Sequence, residues 1–129
     1  MSGKFVRERR PVFLAPLKIR LPVGALTSIA HRVSGILLSV SVAFGVFLLH
    51  LSLSGEAGFQ QAHVILGSWP VLVTSPIALW ALAHHLMAGV RHLLTDVGIG
   101  SSLPVARRTA WTINLLAPLF AAVAFGALW

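Results

Sequence analysis

The chain has 129 residues, of which 57% are apolar and 10% charged, and its formal charge is +7. A water-soluble domain is about one-quarter charged, so this composition cannot cover a surface in water, and the length allows one domain at most. Cysteine is absent, which excludes a disulfide framework, a thiolate metal site and a cysteine nucleophile.

Residues 1–22 (MSGKFVRERRPVFLAPLKIRLP) are basic and interrupted by Pro11, Pro16 and Pro22. They lack the apolar core and small-residue cleavage site of a signal peptide, and are expected to form a cytoplasmic N-terminal segment. Six of the ten basic residues fall within residues 1–20, beside a membrane segment. Membrane orientation explains them better than nucleic-acid binding does.

Three apolar stretches are long enough to cross a bilayer, which takes about 20 residues of helix. They lie at Ile36–Leu53, Trp69–Val90 and Trp111–Trp129. With their flanking turns they predict an all-α domain over 23–129, spanning at approximately 28–53, 69–93 and 107–129. Pro22 suits a helix start. A helix from Gly24 to Leu53 would measure about 45 Å, more than the ~30 Å hydrocarbon core, so its first turns should project into the headgroups or tilt.

The connection GEAGFQQAHVILGS mixes apolar and polar residues, as a surface half-turn or the start of the second helix would. In that helix Pro70 fits the first turn and Pro76 predicts a kink. The segment TDVGIGSSLP predicts a stop, with Gly98 and Gly100 ahead of Pro104. The third helix is expected from near Val105, with a second kink at Pro118.

Charge sets the expected topology. Residues 1–32 carry Lys4, Arg7, Arg9, Arg10, Lys18, Arg20 and Arg32, the connection Ser54–Ser68 carries no Lys or Arg, and Arg91–Ala110 carries Arg91, Arg107 and Arg108. Basic residues stay on the cytoplasmic side, which puts the N-terminus inside and Trp129 outside. Trp69, Trp111 and Trp129 fall at the interfaces where aromatic belts form. Trp80 reads as packing.

Two polar constellations interrupt the apolar pattern. In the first helix Ser28, His31, Arg32 and Gly35 are spaced i, i+3, i+4, i+7 and are expected on one face. A hydroxyl, an imidazole and a guanidinium at the membrane edge suit an oxygen-bearing ligand. Alternatively, Arg32 snorkels to phosphates while Ser28 caps or back-bonds its helix. In the second helix His85, Gly89 and His92 recur at i, i+4, i+7. His85 precedes Arg91 by six residues, about 9 Å inward from the boundary, and imidazole at that depth is a common haem ligand. Gly89 would leave room for a flat macrocycle. The plain alternative is a histidine hydrogen-bonded to a neighbouring helix. His84 points about 100° away and need not share the role. His50 and His63 belong to the wet outer side, and Asn114 reads as interhelical glue.

Two motifs together resemble the cytochrome b subunit family of succinate dehydrogenase, the larger of that enzyme's two membrane anchors. One is the pair Arg10–Pro11 followed by SIAHRVSG from Ser28; the other is HLMAGVRHLLTDVG from His85. The match extends over nearly the whole chain. Pro16 replaces a usual aliphatic residue, and Thr95 a bulkier one, away from any proposed ligand.

The resemblance implies a three-span anchor that packs with a second small anchor subunit into a haem-binding bundle. By motif, His85 corresponds to the axial ligand of haem b, and Ser28 and Arg32 to the quinone site, with ubiquinone or another quinone as substrate. His31, Arg32 and His92 would lie near the haem propionates. A flavoprotein subunit and an iron–sulfur subunit would deliver electrons from succinate, at a bacterial inner membrane. The chain would not be a complete enzyme by itself. A quinol:fumarate reductase anchor, or a non-redox membrane anchor or transporter subunit, are the alternative functions. His31 is expected near the cytoplasmic edge of the first helix and His50 near its outer end, so neither is expected at the depth of His85; the third span has no histidine, and the chain has no Tyr. The second haem ligand and any phenol donor to quinone are therefore expected from the partner anchor.

Overall fold

The computed structural model describes residues 20–129. The basic segment read at 1–22 falls almost wholly outside them, including Arg10–Pro11 and Pro16. The described residues form four helices: α1 (Val23–Ser52), α2 (Glu56–Leu66), α3 (Trp69–Asp96) and α4 (Leu103–Leu128). α1, α3 and α4 are long and apolar enough to cross a membrane, whereas α2 is an 11-residue helix between the first two spans. α3 packs along both α1 and α4, and α1 touches α4 less extensively.

Local chemistry explains the boundaries. Pro22 occupies the cap position of α1 in extended conformation, so the helix opens at Val23. Gly55, at φ 123°, separates α1 from α2 in a conformation that a side chain would resist. The stretch read as a half-turn or the start of the second span is thus an independent short helix. It rests on the end of α1 at Gly58, where a Cβ would collide with Ser54 Oγ and the Leu51 carbonyl.

α3 continues through Pro76. A proline in a helix interior frees the carbonyl four residues earlier, here that of Leu72. Ser75 Oγ donates to that oxygen at 3.1 Å, so the polar group stays satisfied where hydrocarbon would not satisfy it. α4 likewise continues through Pro118, so neither proline ends its helix. At the end of α3, Gly98 takes φ 83°, with Ile99 N–H donating to the Leu94 carbonyl at 2.8 Å and Gly98 N–H to that of Thr95 at 3.0 Å. This left-handed glycine closure ends the helix.

The core is narrow and built from small residues. Ala81 and Ala88 of α3 and Ala110 and Ala117 of α4 are fully buried, which lets the backbones approach closely. Large apolar side chains point outward instead, among them Ile36 (68% exposed), Val40 (67%) and Leu86 (63%). That inversion suits helices whose outer faces meet lipid or another membrane subunit rather than water. All five described arginines gather at one end: Arg20 and Arg32 near the start of α1, Arg91 near the end of α3, and Arg107 and Arg108 at the start of α4.

Candidate functional site: an imidazole cluster at the basic end

α1 meets α3 through histidines. His31, expected nearer the membrane edge than His85, lies level with it: their rings stack side by side with centroids 4.1 Å apart and planes 14° from parallel, and the His92 ring lies 5.2 Å from His31. The approach depends on Gly35, since a Cβ there would stand 3.0 Å from His85 Cε1 and 3.4 Å from Nδ1. A Cβ at Gly89 would meet His31 Nε2 at an ordinary 3.5 Å. Gly35 is therefore the glycine that the close approach requires, rather than Gly89.

The hydrogen bonds of His85 assign its tautomer. Nδ1 lies 3.1 Å from the His31 carbonyl oxygen and 3.3 Å from Ser34 Oγ. A carbonyl only accepts, so Nδ1 carries the hydrogen and Nε2 keeps its lone pair. Ser34 donates its own hydrogen to the same carbonyl at 2.8 Å, leaving its oxygen able to share the Nδ1 hydrogen. An Nδ1–H held by a backbone carbonyl is the arrangement that orients metal-ligating histidines and raises their basicity. Nε2 of His85 has no hydrogen-bond partner among the described residues. On the other side of the stack, His31 Nε2 is buried and also without one.

The neighbouring His84 does something else. It is 1% exposed, and Nε2–H donates to Asn114 Oδ1 on α4 at 3.2 Å. Asn114 Oδ1 is also 3.2 Å from Thr27 Oγ1 on α1, a fully buried hydroxyl that reaches the Val23 carbonyl at 3.0 Å. Thr27, Asn114 and His84 thus tie all three spans together, and fix the rotation of α3 so that His85 faces α1. His84 is thus bonded to a neighbouring helix through Nε2, and its Nδ1 is buried without a partner among the described residues. His85, also bonded through one nitrogen, retains the other. The roles of His84 and Thr27 were not evident from sequence, although a polar Asn114 within an apolar span was a signal that it needed partners.

The structure divides the four-residue face expected on α1. Thr27, His31 and Ser34 turn toward α3 and α4, whereas Ser28 and Arg32 stand about 100° further round. Arg32 is exposed and Ser28 half-buried, and Gly35 contacts His85. The cause is helical drift, because steps of three and four residues rotate in opposite senses. Unlike Thr27 and Ser34, Ser28 makes no back-bond to its helix among the described residues. His92 is half-buried beside His31; His50 and His63 are exposed at the far end, as read. Among the described residues no three His, Asp or Glu side chains converge as a bare-metal site. The cluster instead offers one free imidazole nitrogen, a buried orphan nitrogen and an arginine close by.

These features define a multi-pass helical membrane protein with three clustered imidazoles near its basic end. The family described as succinate dehydrogenase/fumarate reductase transmembrane subunit matches residues 6–125, and the chain belongs to that family. It is 34% identical to the succinate dehydrogenase cytochrome b556 subunit of Coxiella burnetii over 126 residues, covering 96% of this chain and 98% of the relative. The cytochrome b556 subunit of Paracoccus denitrificans is 31% identical, with 81% and 80% covered. The cytochrome b560 subunit of Reclinomonas americana is 27% identical, with 82% and 77% covered.

Proposed function

We propose that this chain is the cytochrome b anchor of a succinate:quinone oxidoreductase, contributing one axial ligand to a haem b and part of a quinone site. The observation that carries the reading is His85, whose Nδ1–H is held by the His31 carbonyl while Nε2 keeps its lone pair. The relatives' names, cytochrome b556 and b560, support haem, and succinate dehydrogenase in each name supports the succinate-oxidising direction. The residues fit the group: His85 Nε2 would bind iron, and Arg32, His31 and His92 would serve the propionates. The orphaned His31 Nε2 is a buried donor or acceptor awaiting such a partner. Haem, when bound, supplies a one-electron redox centre.

Ser28 and Arg32 act on quinone. The Ser28 hydroxyl donates to one quinone oxygen and positions the ring, and Arg32 places a permanent positive charge beside it. Reduction develops negative charge on oxygen, which a fixed guanidinium stabilises more than it stabilises neutral quinone. Protons enter from the aqueous side, next to which the basic end of the spans lies. Electrons come from the flavoprotein and iron–sulfur subunits, and a second small anchor completes both sites. Ser28→Ala and Arg32→Leu are expected to lower succinate-to-quinone turnover by about 100-fold, the low end of the range for losing a positioned donor. Succinate oxidation with an artificial acceptor should persist. Equal loss of both activities would mean failed assembly, and normal quinone kinetics in both variants would refute the site.

The orientation in the bacterial inner membrane is N-terminus inside and C-terminus outside, by the clustering of arginines at one end. A reporter active only outside the cytoplasm should be active when fused after Trp129 and silent in the Ser101–Ser102 loop. The opposite pattern would overturn the assignment.

A further inference from the structure

Three of the arginines at the basic end, Arg91, Arg107 and Arg108, line a groove of about 1130 Å³ between the start of α1 and the first turns of α4. Neither Ser28 nor Arg32 lines it, nor does any of the clustered histidines. Its remaining walls are mainly apolar, with Pro22, Val23, Leu103 and Trp111. No acidic residue lines it among the described residues.

Arg91 is set in place. Its Nε donates to Thr109 Oγ1 at 3.1 Å and its Nη2 to the Ala106 carbonyl at 3.2 Å, both on α4. Two of its five N–H groups are used and three remain, on a plane that can no longer turn freely. Arg107 and Arg108 are exposed and adjacent, and add two mobile charges beside the fixed one. Fixed and mobile guanidiniums facing one concavity recognise a phosphate, to which Arg bonds through two parallel N–H groups.

The groove also extends along α4. Its lining on α4 runs from Leu103 to Thr112, about 14 Å along the span, with the arginines between Leu103 and the half-exposed Trp111. The arginines sit mid-groove, with Leu103 and Pro104 on one side and one further turn, Trp111 and Thr112, on the side toward the hydrocarbon. Charge with an apolar surface on its hydrocarbon side suits an amphiphile. A soluble subunit resting on the membrane surface would cover the arginines but would not follow α4 into the bilayer. Basic pockets between spans at the cytoplasmic face are suited to anionic lipid headgroups.

We propose that this groove binds an anionic glycerophospholipid, with its phosphate on Arg91, Arg107 and Arg108 and its glycerol and upper acyl chains along α4 past Trp111. The site is separate from the haem and quinone sites and does not depend on either.

The test uses the assembled complex, purified in non-ionic detergent through a tag on this chain and stripped of lipid. Native mass spectrometry would measure retention of short-chain phosphatidylglycerol and of phosphatidylcholine with the same acyl chains. Phosphatidylglycerol should be retained about tenfold better by the wild type. Arg107→Gln/Arg108→Gln should abolish the preference with subunit composition unchanged, whereas Arg107→Lys/Arg108→Lys should keep most of it. If the double glutamine variant does not assemble, Arg108→Gln alone should still reduce the preference by about threefold. Equal retention of the two lipids by wild type would overturn the proposal, as would a preference untouched by the glutamine variants. Displacement of the lipid by millimolar inorganic phosphate would make a soluble phosphate the ligand. Loss of the soluble subunits with the lipid preference intact would make the arginines a protein-docking patch. Either of these last results would also overturn it.

Discussion

Replacing His85 with Leu should abolish the low-spin haem b spectrum of the complex purified through this chain, leaving its three spans packed. Leu fills a similar volume without a lone pair. The packing cost is small because α3 keeps its fully buried alanines and its own bond from His84 to Asn114. The lost bond to the His31 carbonyl is worth about 1 kcal/mol, and that oxygen still has Ser34 as a donor. Loss of haem without loss of the complex therefore assigns the ligand. His84→Leu offers the contrast. It removes a fully buried hydrogen-bonded side chain and should lower stability, while any remaining haem keeps its low-spin character. An unchanged spectrum in His85→Leu would sink the assignment.

A second large effect is expected at a residue with no side chain. In Gly35→Val the new Cβ would lie 3.0 Å from His85 Cε1, tighter than most real packing, so the ring must give way, and two methyl groups would add to the crowding. The imidazole has little room to withdraw, since it is stacked on His31 at 4.1 Å and bonded to the His31 carbonyl at 3.1 Å. Overpacking of this kind costs about 1–3 kcal/mol, which α1 and α3 can relieve by separating or the ring by turning. Both movements spoil the alignment of Nε2, so haem content should fall severalfold, or its midpoint potential and low-spin signal should shift. Gly45→Val, in the same helix with nothing within 4 Å of its Cβ, should leave both as in wild type. Wild-type haem content and potential in Gly35→Val would remove the glycine from the site.

The spans were legible because each is a long run without charge, and the candidate site drew attention because imidazole and guanidinium groups are costly near hydrocarbon. What escaped the sequence involves pairs of residues far apart in the chain. Thr27, His84 and Asn114 form one buried knot across separations of 87 and 30 residues, and no local spacing announces it. Periodicity placed Arg32 and His31 on one face because adjacent residues differ by only 100°, yet packing against α3 distinguishes them. Gly89 drew attention through its spacing from His85, whereas the tight contact belongs to Gly35 on the opposite helix. α2 was ambiguous because an 11-residue amphipathic segment at a membrane surface has the same composition as a loop, and only the positive φ of Gly55 divides it from α1.

The central claim is that this chain holds one imidazole of a haem shared with a second anchor and fed by succinate. The most direct measurement is a reduced-minus-oxidised visible spectrum, recorded on the complex purified through this chain and on the chain produced without partners. The complex should show a low-spin haem b band that succinate reduces, and the chain alone should show no stoichiometric low-spin haem. A complex without that band, or a lone chain with a full bis-histidine spectrum, would contradict the account.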